Sequence, residues 1–327
     1  MSQVQRTRAL LGPADPARDV PVPPPRRTAH ELIAMAGAAS LPRPRRPAWR
    51  RLVPVAAALA VAAGGVVVVQ AVDHARTPPP GAGSAGVLVP IAYQFEATPT
   101  PARDQLRALA DRLVDAPYDG HTGRYTYHDI KDWGDPLMSS ENGRYVLGYV
   151  SELQVWAADD GSGRQSVVQL PPQYPDKESE DYWQRHGAGG TSGPHVYPLP
   201  AQPDAVPLPA DRAGLTEMLA VRYGGGAVHK GVSTVYRRYA VPRQTRAEIL
   251  RILADVPGYL WRGAVTDRAG RPGLAITFDD PQHNQQNLLI FDPKTGALNA
   301  DELLTLKPKR ISTYGMILAT DRTTGTG

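Results

Sequence analysis

The sequence predicts an α+β domain, an antiparallel sheet with two or three helices packed on one face, preceded by one transmembrane helix and a disordered N-terminal tail. Three observations predict it. An uncharged apolar run fills residues 52–72, helical periodicity recurs in separate stretches beyond residue 100, and from Tyr259 short strand patterns alternate with turn sequences.

The apolar run decides the topology. Its only polar side chain is Gln70, and at 1.5 Å per residue it reaches about 30 Å, the thickness of a bilayer core. A helix there satisfies its own backbone groups in lipid. A buried core helix is the alternative, but the Pro- and Arg-rich and Pro- and Gly-rich flanks offer nothing to pack around it. Arg43, Arg45, Arg46, Arg50 and Arg51 precede the run, so the N-terminus is expected in the cytoplasm and residues 73–327 outside the cell membrane. A cleaved signal peptide fits less well, because some fifty residues precede the run and no clean Ala-x-Ala site follows.

The 327 residues carry 36 Lys plus Arg and 32 Asp plus Glu. The excess is local: residues 1–51 hold ten Arg and three acids, whereas the remainder holds 26 basic and 29 acidic residues. The body is therefore not basic, and a nucleic-acid-binding domain loses its support. The chain has no Cys, which excludes disulfides, thiolate chemistry, Cys-based metal sites and a lipoprotein anchor.

Residues 1–51 read as a mostly disordered Arg- and Pro-rich tail with one short helix candidate, Thr28 with Glu31 beginning it. Such a tail either docks a cytoplasmic protein partner or serves as a solvated basic segment on anionic lipid. Residues 73–100 read as a Pro/Gly-rich linker, 101–320 as the outer domain and 321–327 as a disordered end.

Within the outer domain, Leu106, Leu109, Ala110, Leu113 and Val114 mark a helix over 101–115. Strand patterns follow near Tyr125, over Tyr145 to Trp156 and over Gln165 to Leu170, with turns at Asn142-Gly143 and Asp159–Gly163. Residues 171–210 contain nine Pro and read as a long loop. A second helix is expected over 211–223, stopped by Gly224-Gly225-Gly226. A third begins with Thr245 and Glu248 as a capping box and ends at Pro257-Gly258. Strands are expected near 260–266, 273–279, 286–291 and 311–319. Turns fall at Asp267–Gly270 and Asp292–Gly296.

Little in the sequence points to catalysis. There is no Gly-x-Ser-x-Gly and no phosphate-binding Gly-rich loop. The acids Glu178, Glu180 and Asp181 are expected in solvent, and Asp279-Asp280 at a turn. His121, His128, Asp129 and Asp132, like Asp280 and His283, lack metal-ligand spacing. No enzyme activity, cofactor or metal is expected. The aromatic residues are more informative: Tyr125, Tyr127, Tyr145 and Tyr149 can line one sheet face, since residues i and i+2 share a face. They read either as core packing with hydroxyls at the rim or as a half-open pocket for an apolar ligand, partly covered by 171–210.

The order of features resembles an actinobacterial family of single-pass membrane proteins of unknown function, often encoded beside extracytoplasmic-function sigma factors. The stretches that carry it are Ala116–Tyr127, Ile252–Gly258, Thr266–Gly273 and Ile290–Gly296. These are turns and helix ends, so the resemblance implies a shared fold and a sensor or regulatory role, possible sigma-factor signalling included, without catalytic residues. A looser likeness is to periplasmic lipoprotein-carrier and sigma-regulator domains, which curve a sheet around helices. A zinc-type anti-sigma role needs two Cys and is excluded.

Overall fold

A computed structural model describes residues 86–95, 98–187 and 190–326. The tail, the apolar run 52–72 and the five flanking arginines lie outside the described residues. No helix among the described residues is long and apolar enough to cross a membrane. The described residues all belong to one compact unit.

Ten strands make one antiparallel sheet: β1 (Thr100–Pro101), β2 (Tyr125–Ser139), β3 (Val146–Ala157), β4 (Gly163–Gln173), β5 (Ser192–Leu199), β6 (Tyr259–Thr266), β7 (Pro272–Asp280), β8 (Gln285–Phe291), β9 (Leu298–Leu306) and β10 (Lys309–Thr323). Their order across the sheet is β1-β6-β7-β8-β9-β10-β2-β3-β4-β5. Five helices accompany it among the described residues: α1 (Arg103–Asp111), α2 (Lys177–His186), α3 (Arg212–Met218), α4 (Gly225–Arg238) and α5 (Arg243–Asp255). The fold is α+β, as the sequence predicts. Four helices rather than two or three share one face, with α2 set apart over the start of β3.

The turns form where turn chemistry asks for them. Gly143 and Gly296 have φ of 68° and 69°, a region glycine enters at little cost. Asp292 Oδ1 accepts from the amides of Lys294 and Thr295 at 3.0 and 2.7 Å, closing the β8–β9 turn from within.

Several stretches differ from expectation. The nine-proline segment 171–210 holds the end of β4, helix α2 and β5. Asp176 caps α2 through Ser179 N, and Glu180, expected in solvent, is buried. The second helix ends at Met218; Gly224 stops the 3-10 turn Val221–Tyr223 that follows it, and the triple glycine also starts a further helix that the sequence does not suggest. Gly225 lies against the Phe278 ring and Gly231 against the Leu219 backbone, so the small residues let α4 approach its neighbours, while Val228, Val232, Val235 and Tyr236 face the core. Helix α5 begins at Arg243 after Pro242, and Thr245 is buried within it, so the expected capping box does not form.

From β6 to β10 the sheet carries a core on each face. On one, α1, α3, α4 and α5 pack on Ile276, Leu289, Phe291, Leu298 and Ile317. On the other, Trp133, Leu288, Ile290, Leu304, Tyr314 and Met316 form a second core, closed by Leu88, Ile91 and Ala92. Those three belong to residues 86–95, which the sequence places in the linker. The segment is a strap: Leu88 N donates to Tyr174 O at 2.9 Å after β4, and Gln94 Nε2 donates to Thr266 O at 3.0 Å on β6. Seven strand spacings separate β4 from β6, roughly 34 Å on a flat sheet. The strap, with a 3-10 turn at Ile91–Gln94, spans only about 22 Å. The sheet therefore curls toward the strap.

The edges are guarded. β1 has two residues, one of them proline, and β5 carries Pro194 and Pro198, which have no N–H to offer an incoming strand. β10 runs on to Thr323, three residues into the end that the sequence reads as disordered.

Candidate functional site

The four tyrosines are not brought together. Tyr127 opposes Trp156, with ring centroids 4.9 Å apart, and Arg124 lies over Tyr125 at 5.3 Å. Tyr145 stacks on Tyr182 of α2 at 4.4 Å, and Tyr149 is buried with Leu147 and Tyr174. Seven residues of β3 separate Tyr149 from Trp156, about 23 Å of extended chain. The two pairs sit at opposite ends of the β2–β3 ladder, each engaged with its own neighbours.

The open volume lies elsewhere. A cleft of about 630 Å³ separates the ends of β2, β3 and β10 from the helical layer, within the size range of small-molecule sites. Thr126 and His128 of β2, Val155 and Ala157 of β3, and Arg322 of β10 form its sheet side. Arg237 and Arg238 of α4, with Tyr239 behind them, form the helical side. Leu199 at the end of β5, with Leu208 and Pro209 from the segment that follows, closes it. That segment, part of the 171–210 stretch expected to cover a pocket, is tied down: Gln202 N donates to Asp160 O at 2.8 Å, and Tyr239 OH donates to Val206 O.

The charges of the cleft are unevenly matched. Asp119 is occupied by Arg246, whose Nη1 and Nη2 reach its two oxygens at 3.0 and 2.7 Å. These contacts, with the Ala116 amide, outweigh burial and hold the Asp119 carboxyl below its ordinary value. Asp159 lies 3.7 Å from Arg322, which also donates to Thr126 Oγ1 at 2.9 Å. Arg237 is clamped by Asp132 at 2.7 and 2.8 Å and by Asp301 at 3.3 Å. Burial opposes its charge, but the two carboxylates more than offset that and keep it protonated. Its Nε–H is buried without an acceptor among the described residues. Arg238 stacks over Tyr239 at 5.5 Å and forms no ion pair among the described residues, leaving an exposed positive charge at the mouth. His128, with Nδ1 3.1 Å from Thr320 Oγ1, is pushed down to about 4: burial dominates, the Arg238 backbone opposes it and the Arg237 charge adds to it.

Sequence reasoning considered His121 and His128 only as metal ligands. His121 pairs with Asp321 at 2.5 Å, and no three metal-ligating side chains converge among the described residues. It missed Arg237, Arg238 and Arg322. The available signal was the Arg237-Arg238-Tyr239 run, hidden because its helix was not recognised.

The arrangement can hold an anion beside an apolar surface. It presents guanidinium and hydroxyl donors next to aliphatic walls, with both carboxylates already engaged.

No known family and no curated protein matches the chain, so the actinobacterial resemblance gains no support there. Ten solved chains match. MucB in complex with MucA(peri) is 14% identical with a TM-score of 0.27, covering 68% of this chain and 55% of that one. MucB alone is 14% identical with a TM-score of 0.27, covering 69% and 60%. The chain thus spans little more than half of the structures it resembles, and a likeness at that TM-score carries no argument about function.

Proposed function

We propose that this protein is an extracytoplasmic sensor or regulatory domain, tethered by a single span at 52–72, whose cleft receives an anionic ligand with an apolar body. One observation supports the reading above others: the cleft pairs aliphatic walls with an arginine at its mouth that no carboxylate of the described residues neutralises. The tail 1–51 then relays occupancy to a cytoplasmic protein, a sigma-factor system being the partner class the sequence resemblance suggests.

Binding tests the site. Full-length protein in nanodiscs is titrated with octyl phosphate, octanol and inorganic phosphate. Octyl phosphate is expected to bind at least tenfold more tightly than either control, and Arg238→Ala to weaken it about tenfold, the loss of one charge-assisted contact. Equal binding of octyl phosphate and octanol would remove the anionic reading. Topology is tested separately: protease added to intact cells should remove the large C-terminal portion, and its survival there rules out the tethered arrangement. The alternative, a membrane-tethered lipid or apolar-ligand module, predicts octanol and octyl phosphate binding alike. The strap fills the second core, so the cleft is the place such a ligand would take.

A further inference from the structure

We infer that the strap 86–95 and the cleft are coupled through β9, β10 and β2, so that moving Arg237 changes how firmly the strap is seated. The inference rests on reading the cleft as the ligand site and names how that site is regulated.

Two neighbouring rows of residues cross these strands. Asp301, Gly315 and Asp132 are in register and face α4, where both carboxylates hold Arg237 and the guanidinium fills the space over Gly315. One residue along each strand, Glu302, Tyr314 and Trp133 are in register and face the strap. Tyr314 and Trp133 stack at 6.2 Å, and Arg268 lies over Tyr314 at 4.9 Å. Arg268 then joins Glu302 to the strap: its Nε donates to Glu302 Oε1 at 2.6 Å and its Nη2 to Val89 O at 2.9 Å. The Arg237 row and the strap row are thus consecutive residues on the same three strands, back to back across the sheet.

The strap is the element such coupling can move. It has one isolated parallel bridge, Val87 with Tyr174, and one 3-10 turn in place of a ladder. Four side chains, Leu88, Pro90, Ile91 and Ala92, are buried, while Val89 and Tyr93 are exposed. Ordering ten residues of backbone offsets much of what four buried side chains return, so the strap belongs at the low end of local stability. A connected row of contacts becomes a coupling only when a change at one end shifts the equilibrium at the other.

The absence of native cysteine permits a clean test. Ala92→Cys places a thiol under the strap, and Ala254→Cys places one in the opposite core, on α5. Maleimide labelling of each is followed in full-length protein in nanodiscs, with and without Gly315→Ala, whose new methyl collides with the Arg237 guanidinium. Labelling at Ala92→Cys should accelerate at least tenfold on adding Gly315→Ala, with less than a threefold change at Ala254→Cys. Equal acceleration at both thiols means general loosening, and no acceleration at Ala92→Cys means no link; either overturns the proposal. If Gly315→Ala does not fold, Asp132→Asn, which weakens the hold on Arg237, is read by the same criteria. No ligand enters the test. Failure of the anion reading would appear in the octyl phosphate titration while the labelling result stood, and the reverse.

Discussion

Replacing Arg246 by Leu is expected to lower stability by about 3–5 kcal/mol, the range for breaking a buried ion pair by removing one partner. The side chain is 0% exposed, yet its donors are spent across the fold. Nε reaches Thr295 O at 2.7 Å in the β8–β9 turn, Nη1 reaches Val241 O at 2.6 Å, and both terminal nitrogens reach Asp119. Its plane also lies 5.4 Å from the Tyr118 ring. The change removes a donor from the carbonyls of Thr295, Val241 and Val114 and leaves Asp119 without its counter-charge in a half-closed site. For a unit of this size the loss corresponds to a fall in melting temperature of roughly 10 °C. The matched control is Arg251→Leu on the same helix. Its partner Asp111 lies 2.9 Å away but the pair is exposed, so the expected loss is below about 1 kcal/mol. Equal melting shifts for the two variants would show that Arg246 is no hub. The cleft should suffer as well, since Tyr118 and Asp119 line it.

The second large effect is acid sensitivity. His128 has its pKa pushed down to about 4, against 6.5 in an unfolded chain. His229, buried on α4, is lowered in the same direction by burial and by Arg237, with Asp301 opposing. A ring kept neutral in the fold takes up no proton between these values, whereas the unfolded chain does. Stability is therefore fully present above about pH 6.5 and falls as pH drops toward 4. His128 alone accounts for about 2 kcal/mol at pH 5 and about 3 kcal/mol at pH 4. Glu302 works the other way, since burial, its largest influence, raises its pKa despite Arg268. The decisive quantity is thus a difference between proteins. His128→Gln should lose about 2 kcal/mol less than the parent between pH 7 and pH 5 in denaturant unfolding. Parallel pH profiles would mean that the His128 ring takes up its proton alike in the folded and unfolded chain.

The legible parts of this chain were those with local signatures. The α5 stripe of Ile249, Ile252 and Leu253, the hairpin at Asn142-Gly143 and the turn at Asp292–Gly296 state their structure within a few residues. Elements specified by distant neighbours were not legible. Helix α4 opens at Gly225, where the Phe278 ring leaves no room for a side chain, and no window around residue 225 contains Phe278. β5 carries two prolines and follows another helix, so its stretch reads as loop until β4 is there to pair with it. The strap looks like linker because only Leu88, Pro90, Ile91 and Ala92 of its ten residues are buried, and the strands they pack on lie more than thirty residues away. The cleft was invisible for the same reason. Arg237, Arg238 and Arg322 meet only after an unrecognised helix and the last strand are placed, whereas the tyrosines, conspicuous in sequence, are spent on local aromatic contacts.

Pro194 and Pro198 on the outermost strand have one more consequence. Many copies concentrated on a surface would present their sheet borders to one another, and a continuous row of amide donors there invites fibril growth. Two imino acids four positions apart interrupt that row, so crowding alone does not zip neighbouring molecules into a shared filament.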